Sequence, residues 1–288
     1  MPELPEVETV ARTLAPQVQG RYIGGLEVLA EKTMQCGRER CERLAGTRID
    51  KVWRRAKVLL VDLVTPAEQG RQPLTMAFHL KMTGQVFVHE PEVPPHKHTK
   101  LVFSLYPDQA AAMAGGRPES RMFFDDMRTF GYCRIMRPED LARWPFWGKL
   151  GLEPLLHGPG ELAAAFKARR GKIKAVLLNQ EVVCGIGNIY ADEALFRAGI
   201  RPDAPTDKLD LKRLTRLGQE VRDVLQESID ACGSSIRDYR DANGNVGAFQ
   251  NTFRAYGRKG QPCTVCGRPM SASRVAGRGT TYCEHCQK

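Results

Sequence analysis

Four cysteines near the C-terminus, Cys263-x2-Cys266-x16-Cys283-x2-Cys286, restrict the fold more than any other feature of the chain. Two CxxC pairs at this separation match the zinc-ribbon template. Four thiolates make a closed tetrahedral site, so the expected metal is one structural Zn2+ with no open position for water. A segment of roughly 35 residues buries little core, and metal binding contributes about 10–16 kcal/mol of folding free energy to such modules. Two disulfides are the other reading. Against it stand an odd total of nine cysteines and an N-terminus, MPELPEVETV, with acids where an export signal has a basic end and an apolar stretch. A reducing compartment is expected, with Cys36, Cys41, Cys133, Cys184 and Cys232 as small buried residues. The ribbon implies a rigid hairpin; it does not by itself imply an enzyme.

The rest of the chain changes texture once. Residues 3–16 show helical spacing at Leu4, Val7, Val10 and Leu14, with Pro5 tolerated in the first turn. From about 21 to 135, short apolar runs (57–64, 74–80, 85–88, 100–106, 121–124) alternate with Gly, Pro and polar clusters, which predicts an antiparallel sandwich or barrel. Residues 107–120 read as a long, mobile connection. The stretch 148–160, with four glycines and two prolines, reads as an interdomain hinge. Helices are predicted at 162–169, 173–179, 189–198 and 211–231, the last with one apolar face from Leu211 to Ile229. The expected fold class is α+β and multidomain: a domain over 1–147, the hinge, a helical domain over 161–249 and a zinc hairpin over 250–288. No run approaches 18 apolar residues, so no membrane span is expected.

The net charge is +10, and residues 156–288, with 21 Lys+Arg against 14 Asp+Glu, carry +7 of it. That excess favours a polyanionic partner, nucleic acid being the commonest, although simple solubility also accounts for it. Arg254, Arg258 and Lys259 precede the first zinc ligand, where a clamped hairpin could hold a cation at a phosphate. Upstream, Val182–Asn188 (VVCGIGN) leads into a helix with Asn188 fitting the N-cap, and helix-start amides form a natural phosphate site. A basic run, Lys167, Arg169, Arg170, Lys172 and Lys174, lies before it and suggests a helix–turn–helix variant aimed at a nucleic-acid backbone. An ordinary capped turn remains the alternative.

The N-terminus carries a possible reaction centre. Removal of Met1 would leave Pro2 as a secondary amine, and α-amino groups titrate near 7.7–8.0, so a neutral fraction exists at physiological pH. Such an amine can attack a sugar C1′ and form an iminium. Glu3 is placed to act as general acid and base, and Glu6, one turn on, to support both by hydrogen bonds. On the residues alone, proline and acids at a helix start are better explained by the missing N–H and the macrodipole.

Seven segments bear on that choice: MPELPEVET, RRAKVLL at 54–60, HLKMTG at 79–84, DDMRTFG at 125–131, GIGNIYADE at 185–193, YGRKGQPC at 256–263 and the terminal CxxC pairs. In this order, end to end, they resemble the bacterial formamidopyrimidine-DNA glycosylase family, bifunctional enzymes that excise oxidised purines. The resemblance implies an N-terminal β-sandwich with flanking helices, a helix–two-turn–helix domain, a zinc finger, and damaged double-stranded DNA in the cleft between. It implies Pro2 as nucleophile, Glu3 as proton donor to the sugar, Lys57 assisting β-elimination, and Arg258 serving δ-elimination and phosphate binding. It further implies Asn188 as a phosphate clamp, His98 and Arg169 as DNA contacts, and Met82, Arg128 and Phe130 as the set filling the hole left by an everted nucleotide; Lys174 of the basic run is taken as one more DNA contact. The loop 241–249 would be a mobile lid over the damaged base. A cytoplasmic monomer is expected.

Thr129 replaces a second arginine of the family pattern, Lys100 stands where a second histidine is common, and 107–120 is longer than the usual turn. Two rivals remain. An endonuclease VIII-type relative shares the chemistry but prefers oxidised pyrimidines; PELPE and the Met82, Arg128, Phe130 set lean away from it. A non-catalytic zinc-ribbon DNA-binding protein would need neither Glu3 nor Lys57.

Overall fold

The computed structural model describes residues 1–36 and 44–288, and Cys41 lies outside them. The chain forms two compact units interleaved in sequence. The first comprises Met1–Pro2, Glu6–Gly148 and Ser234–Gly247; the second comprises Glu3–Pro5, Lys149–Gly233 and Ala248–Lys288.

Helix α1 (Leu4–Val18) buries Val7, Val10, Leu14 and Val18 in the core of the first unit, as their spacing requires. The sheet of this unit runs β5-β7-β6-β1-β2-β3-β4-β8, with every neighbouring pair antiparallel. Its strands are β1 (Tyr22–Val28), β2 (Thr47–Arg55), β3 (Val58–Val64), β4 (Pro73–His79), β5 (Gly84–His89), β6 (Thr99–Tyr106), β7 (Ser120–Asp126) and β8 (Tyr132–Met136). Phe78 of β4 lies 6.0 Å from Phe103 of β6 and 5.6 Å from Phe124 of β7. Strands four places apart in a flat sheet would be about 19 Å apart at the usual strand spacing. The sheet therefore doubles over into two layers, which is the expected sandwich.

Three strands were not singled out by their apolar runs. β1 and β2 carry register shifts at Ile23/Gly25 and Ile49/Lys51, and each shift breaks the period-two alternation a reader looks for. β8 is only five residues long. Residues 107–120, expected to be a long, mobile connection, hold a short helix. Asp108 accepts from Ala111 N and caps a short helix, α2 (Gln109–Ala114), which buries Ala112, while Tyr106 Oη donates to Gly116 O at 2.9 Å. Two further short helices, α3 (Pro138–Arg143) and α4 (Pro145–Gly148), cover an aromatic cluster that includes Trp53, Tyr132, Trp144 and Trp147.

The second unit contains α5 (Pro159–Lys167), α6 (Ile173–Leu178), α7 (Asn188–Ala198), α8 (Leu211–Asp230) and the hairpin β9 (Ser271–Val275)–β10 (Arg278–Tyr282). Asp210 caps α8 through Arg213 N, and Leu214, Leu217, Val221, Val224, Leu225 and Ile229 form its buried face. Leu211, expected on that face, is exposed at the first position of the helix. Gly151 N donates to Gln180 O and Cys184 N to Leu152 O, so the start of the unit is pinned onto the α6–α7 connection. Of the scattered cysteines, Cys133 and Cys184 are buried as expected, Cys36 is half-buried and Cys232 is exposed.

Candidate active site

Backbone amides hold the N-terminal carboxylates. Met1 is half-exposed, Pro2 is buried, and Glu3 is only 3% exposed. The Glu3 carboxylate accepts from Gly187 N at 2.6 Å and Ile189 N at 3.1 Å. Those amides open α7, so the carboxylate sits on a positive helix end through charge-assisted bonds. The glycines of GIG are sized for this contact. A Cβ on Gly187 would fall 2.3 Å from Glu3 Cδ, and one on Gly185, whose φ is +89°, would fall 2.6 Å from Leu4 Cδ1. Leu4 N donates to Gly185 O at 3.0 Å and completes the socket. The sequence pattern assigned these helix-start amides to a phosphate; two of them are taken by Glu3. Asn188 is the first helical residue rather than the cap, which is Gly187, and its Nδ2 donates to Gly279 O at 2.9 Å. In the first unit, Glu6 is buried and accepts from Ser234 N at 2.8 Å, while Tyr239 Oη donates to Glu6 O at 3.3 Å.

Lys57 occupies the tight β2–β3 turn beside Ala56, whose φ is +54°, and is buried. His79 lies across from Val58, the next residue. Its Nδ1 accepts from Lys81 N at 3.2 Å, which leaves the ring proton on Nε2. Burial, then the charges of Lys81 and Lys57, push its pKa down to about 3, so the ring is a neutral donor near Lys57. Tyr132 and Phe146 flank it at 5.5 and 5.9 Å between ring centres.

Met82 and Phe130 are exposed large apolar side chains, at 39% and 54%. Arg128 joins them: its Nη1 reaches Met82 Sδ at 2.9 Å, and its guanidinium stacks over Phe130 at 4.7 Å. The three residues assigned to one wedge therefore stand together. His98 is half-buried, with its N–H donating to His96 Nδ1 at 3.1 Å. The loop from Asp241 is not free: Asp241 accepts from Asn243 N and Asn245 N, Ala242 is buried in the core, and Ala242 N donates to Thr13 Oγ1. That bonding ties the first residues of the loop to one another and to Thr13 of α1.

The basic run of the second unit divides by partner. Arg169, Arg170 and Lys172 are exposed, whereas Lys167 Nζ donates to Asp207 O and Leu209 O. Lys174 corrects the sequence reading. It is fully buried, ion-paired with Asp192 at 2.6 Å, and bonded to Gly279 O and Thr280 Oγ1 at 3.1 and 2.8 Å. Its charge is spent inside the protein and cannot meet a phosphate. Burial pushes Asp192 up to about 6 against the pull of Lys174, and lowers the lysine. Asp192 also accepts from Thr281 N, and Glu193 accepts from the amides of Arg254, Ala255 and Tyr256 at 2.8–3.2 Å. Helix α7 thus holds strand β10 through Asp192 and, through Glu193, the chain leading to Arg258, whose Nη2 donates to Pro262 O at 3.0 Å.

The four Sγ atoms of Cys263, Cys266, Cys283 and Cys286 lie within 4.8 Å of one another, with Cys263–Cys286 at 3.9 Å and Cys266–Cys283 at 3.5 Å. Four sulfurs about 2.3 Å from a shared zinc would stand about 3.8 Å apart. The set fits one tetrahedral Zn2+ and is too open for disulfides.

Family models match along the chain: the formamidopyrimidine-DNA glycosylase N-terminal domain over residues 1–133, the formamidopyrimidine-DNA glycosylase H2TH domain over 150–240, and the zinc finger found in FPG and IleRS over 260–288. The formamidopyrimidine-DNA glycosylases of Nitratidesulfovibrio vulgaris and Chloroflexus aurantiacus are 40% and 42% identical, covering 100% of this chain and 100% and 98% of theirs. The chain belongs to the formamidopyrimidine-DNA glycosylase family. Among solved structures, the MutM (FPG) protein of Thermus thermophilus is 37% identical with a TM-score of 0.82, covering 99% of this chain and 98% of its own. A variant of the Lactococcus lactis protein, crystallised with a Fapy-dG-containing DNA, is 30% identical with a TM-score of 0.85 over 100% of both chains.

Membership brings N-glycosylase activity on DNA, with abasic-site lyase activity characteristic of the family, and the zinc-finger match agrees with the sulfur geometry on one structural zinc. Three buried polar positions escaped the sequence reading. His79 ends an apolar strand, where a histidine reads as core. Asp192 and Glu193 sit in a helix that is buried nearly all round, and only their complete burial marks them as amide anchors.

Proposed function

We propose that this glycosylase acts on oxidised purines, 8-oxoguanine and formamidopyrimidines, in duplex DNA, with Pro2 as nucleophile once Met1 is removed. The carrying observation is the Glu3 carboxylate locked onto Gly187 N and Ile189 N, one residue from the Pro2 nitrogen. A carboxyl fixed this way delivers its proton in one geometry, which general acid catalysis requires. Pro2 N attacks C1′ and the base leaves with the electrons of the C1′–N bond; the Glu3 carboxylate takes the proton released from the Pro2 nitrogen and hands it to the sugar ring oxygen as the C1′–O bond breaks, leaving an iminium between Pro2 and the opened sugar. Lys57 assists removal of the C2′ proton and loss of the 3′ phosphate; Arg258 stabilises the second elimination. The neutral Nε2–H of His79 supplies a further phosphate donor near Lys57. Asn188, Arg169 and His98 contact the backbone, and Met82, Arg128 and Phe130 replace the flipped nucleotide, with Arg128 facing the orphaned cytosine. Lys174 is not among the DNA contacts. We assign the protein to the cytoplasm as a monomer; among the described residues no helix is long and apolar enough to cross a membrane.

Strand nicking on duplexes with 8-oxoguanine:C and with thymine glycol:A tests the substrate class. Faster cutting of 8-oxoguanine:C is expected. Preferential cutting of thymine glycol would replace this reading with the oxidised-pyrimidine one.

A further inference from the structure

The wedge residues come from two separate loops, one after β4 and one after β7, and both are exposed. Side chains on independent loops would not keep a common geometry against a DNA stack. Both loops meet one carboxylate. Asp126, the last residue of β7, is fully buried. Its Oδ1 accepts from the hydroxyl of Thr83, the residue after Met82, and from Arg128 N at 3.1 Å. Its Oδ2 accepts from Gly131 N, the residue after Phe130, at 2.6 Å. Arg128 N is shared with Thr83 Oγ1 at 3.1 Å, so the hydroxyl both donates to Asp126 and accepts from the arginine loop.

We propose that Asp126 is a positioning residue, joined to Thr83, that locks the Met82 loop to the Arg128–Phe130 loop so that the wedge enters the duplex as one body. The inference rests on the wedge reading above and deepens it. Three donors converge on two carboxylate oxygens, and among the described residues no cation pairs with them, so hydrogen bonds set the geometry. Gly131 is needed at the closing position: a Cβ there would meet Phe124 Cζ at 2.8 Å and Asp126 Oδ2 at 3.1 Å. Thr129, between Arg128 and Phe130, has φ +54°, so the turn is held in a conformation that a released loop would leave. An amide in place of the carboxylate offers one acceptor where two are used and turns an NH2 toward donors.

The test compares two substrates in single-turnover experiments: duplex 8-oxoguanine:C, which needs the wedge, and a single-stranded abasic oligonucleotide trapped with borohydride, which has no hole to fill. Asp126→Asn and Thr83→Val should slow duplex excision by about 10- to 100-fold, the range for losing a hydrogen bond to a charged group. Trapping on the single strand should stay within about 3-fold, and Thr83→Ser, which keeps the hydroxyl, should restore duplex excision. The preference for C over A opposite the lesion should fall with the duplex rate, because it reads the placement of Arg128. Equal losses on both substrates would reduce Asp126 to a stability residue and overturn the proposal, as would unchanged duplex excision in Thr83→Val. If the unaltered protein fails to cut the duplex, the substrate reading fails instead, and the two failures are told apart by that control.

Discussion

Gly187→Ala adds one methyl group, and the structure says where it goes. The new Cβ would lie 2.3 Å from Glu3 Cδ and 2.4 Å from Oε1. Ordinary carbon contacts are about 3.5–4.0 Å, so the carboxyl must retreat by more than about 1 Å. That movement breaks the bonds from Gly187 N and Ile189 N. Each hydrogen bond to a charged group contributes about 1.5–3 kcal/mol, which puts the loss near 3–6 kcal/mol if both go. A misplacement of about 1 Å in a catalytic group costs about 100-fold in rate. Single-turnover base excision from 8-oxoguanine:C should therefore fall at least about 100-fold. Opening of a preformed abasic site should fall less, because its sugar already equilibrates with the ring-opened aldehyde and does not depend on Glu3 to open the ring. Circular dichroism and a thermal melt report whether the fold survives. Excision at the unaltered rate by a folded Gly187→Ala protein would refute the claim that Glu3 acts from this socket.

Other consequences follow from the buried charges and the metal. Lys174→Met leaves Asp192 unpaired inside the protein, and breaking one side of a buried pair costs about 3–5 kcal/mol; urea melts should show that loss, and adding Asp192→Asn should recover part of it. His79 has its pKa lowered to about 3 in the fold against an ordinary value near 6.5, so below about pH 6.5 the unfolded chain binds the extra proton. Stability from this group is complete above pH 6.5 and declines by about 1.4 kcal/mol per pH unit toward pH 3; melts of His79→Gln should lack that component. Stripping zinc with a chelator should release one metal per chain, unfold the 260–288 hairpin and weaken binding to DNA; an apo-protein with undiminished DNA affinity would contradict the structural role of the site.

Much of the fold is legible in the sequence because its signals are local and periodic: the α1 and α8 faces, the apolar strands β3, β4 and β6, and the cysteine pairs. The elements that escape it depend on distant partners. Bulges in β1 and β2 disturb alternation that only the neighbouring strands restore. The α2 helix is the exception: its signals, the Asp108 cap and the run of alanines, are local, and the surrounding Gly, Pro and Ser residues mask them. Charge is the least readable property. Lys174 belongs to a basic run on paper, but the helix turns it inward onto Asp192, while Arg169 remains outside. Likewise the glycines of GIGN suggest a site for an external anion, and the anion they receive is the chain's own Glu3. The local pattern specifies an anion socket without naming its occupant.

The most direct test of the central claim is borohydride trapping on 8-oxoguanine duplex followed by peptide mass spectrometry. The adduct should map to an N-terminal peptide beginning at Pro2, with Met1 absent, and Pro2→Gly should reduce its yield strongly. An adduct on Lys57 or another lysine, or one formed by chains that retain Met1, would contradict the mechanism.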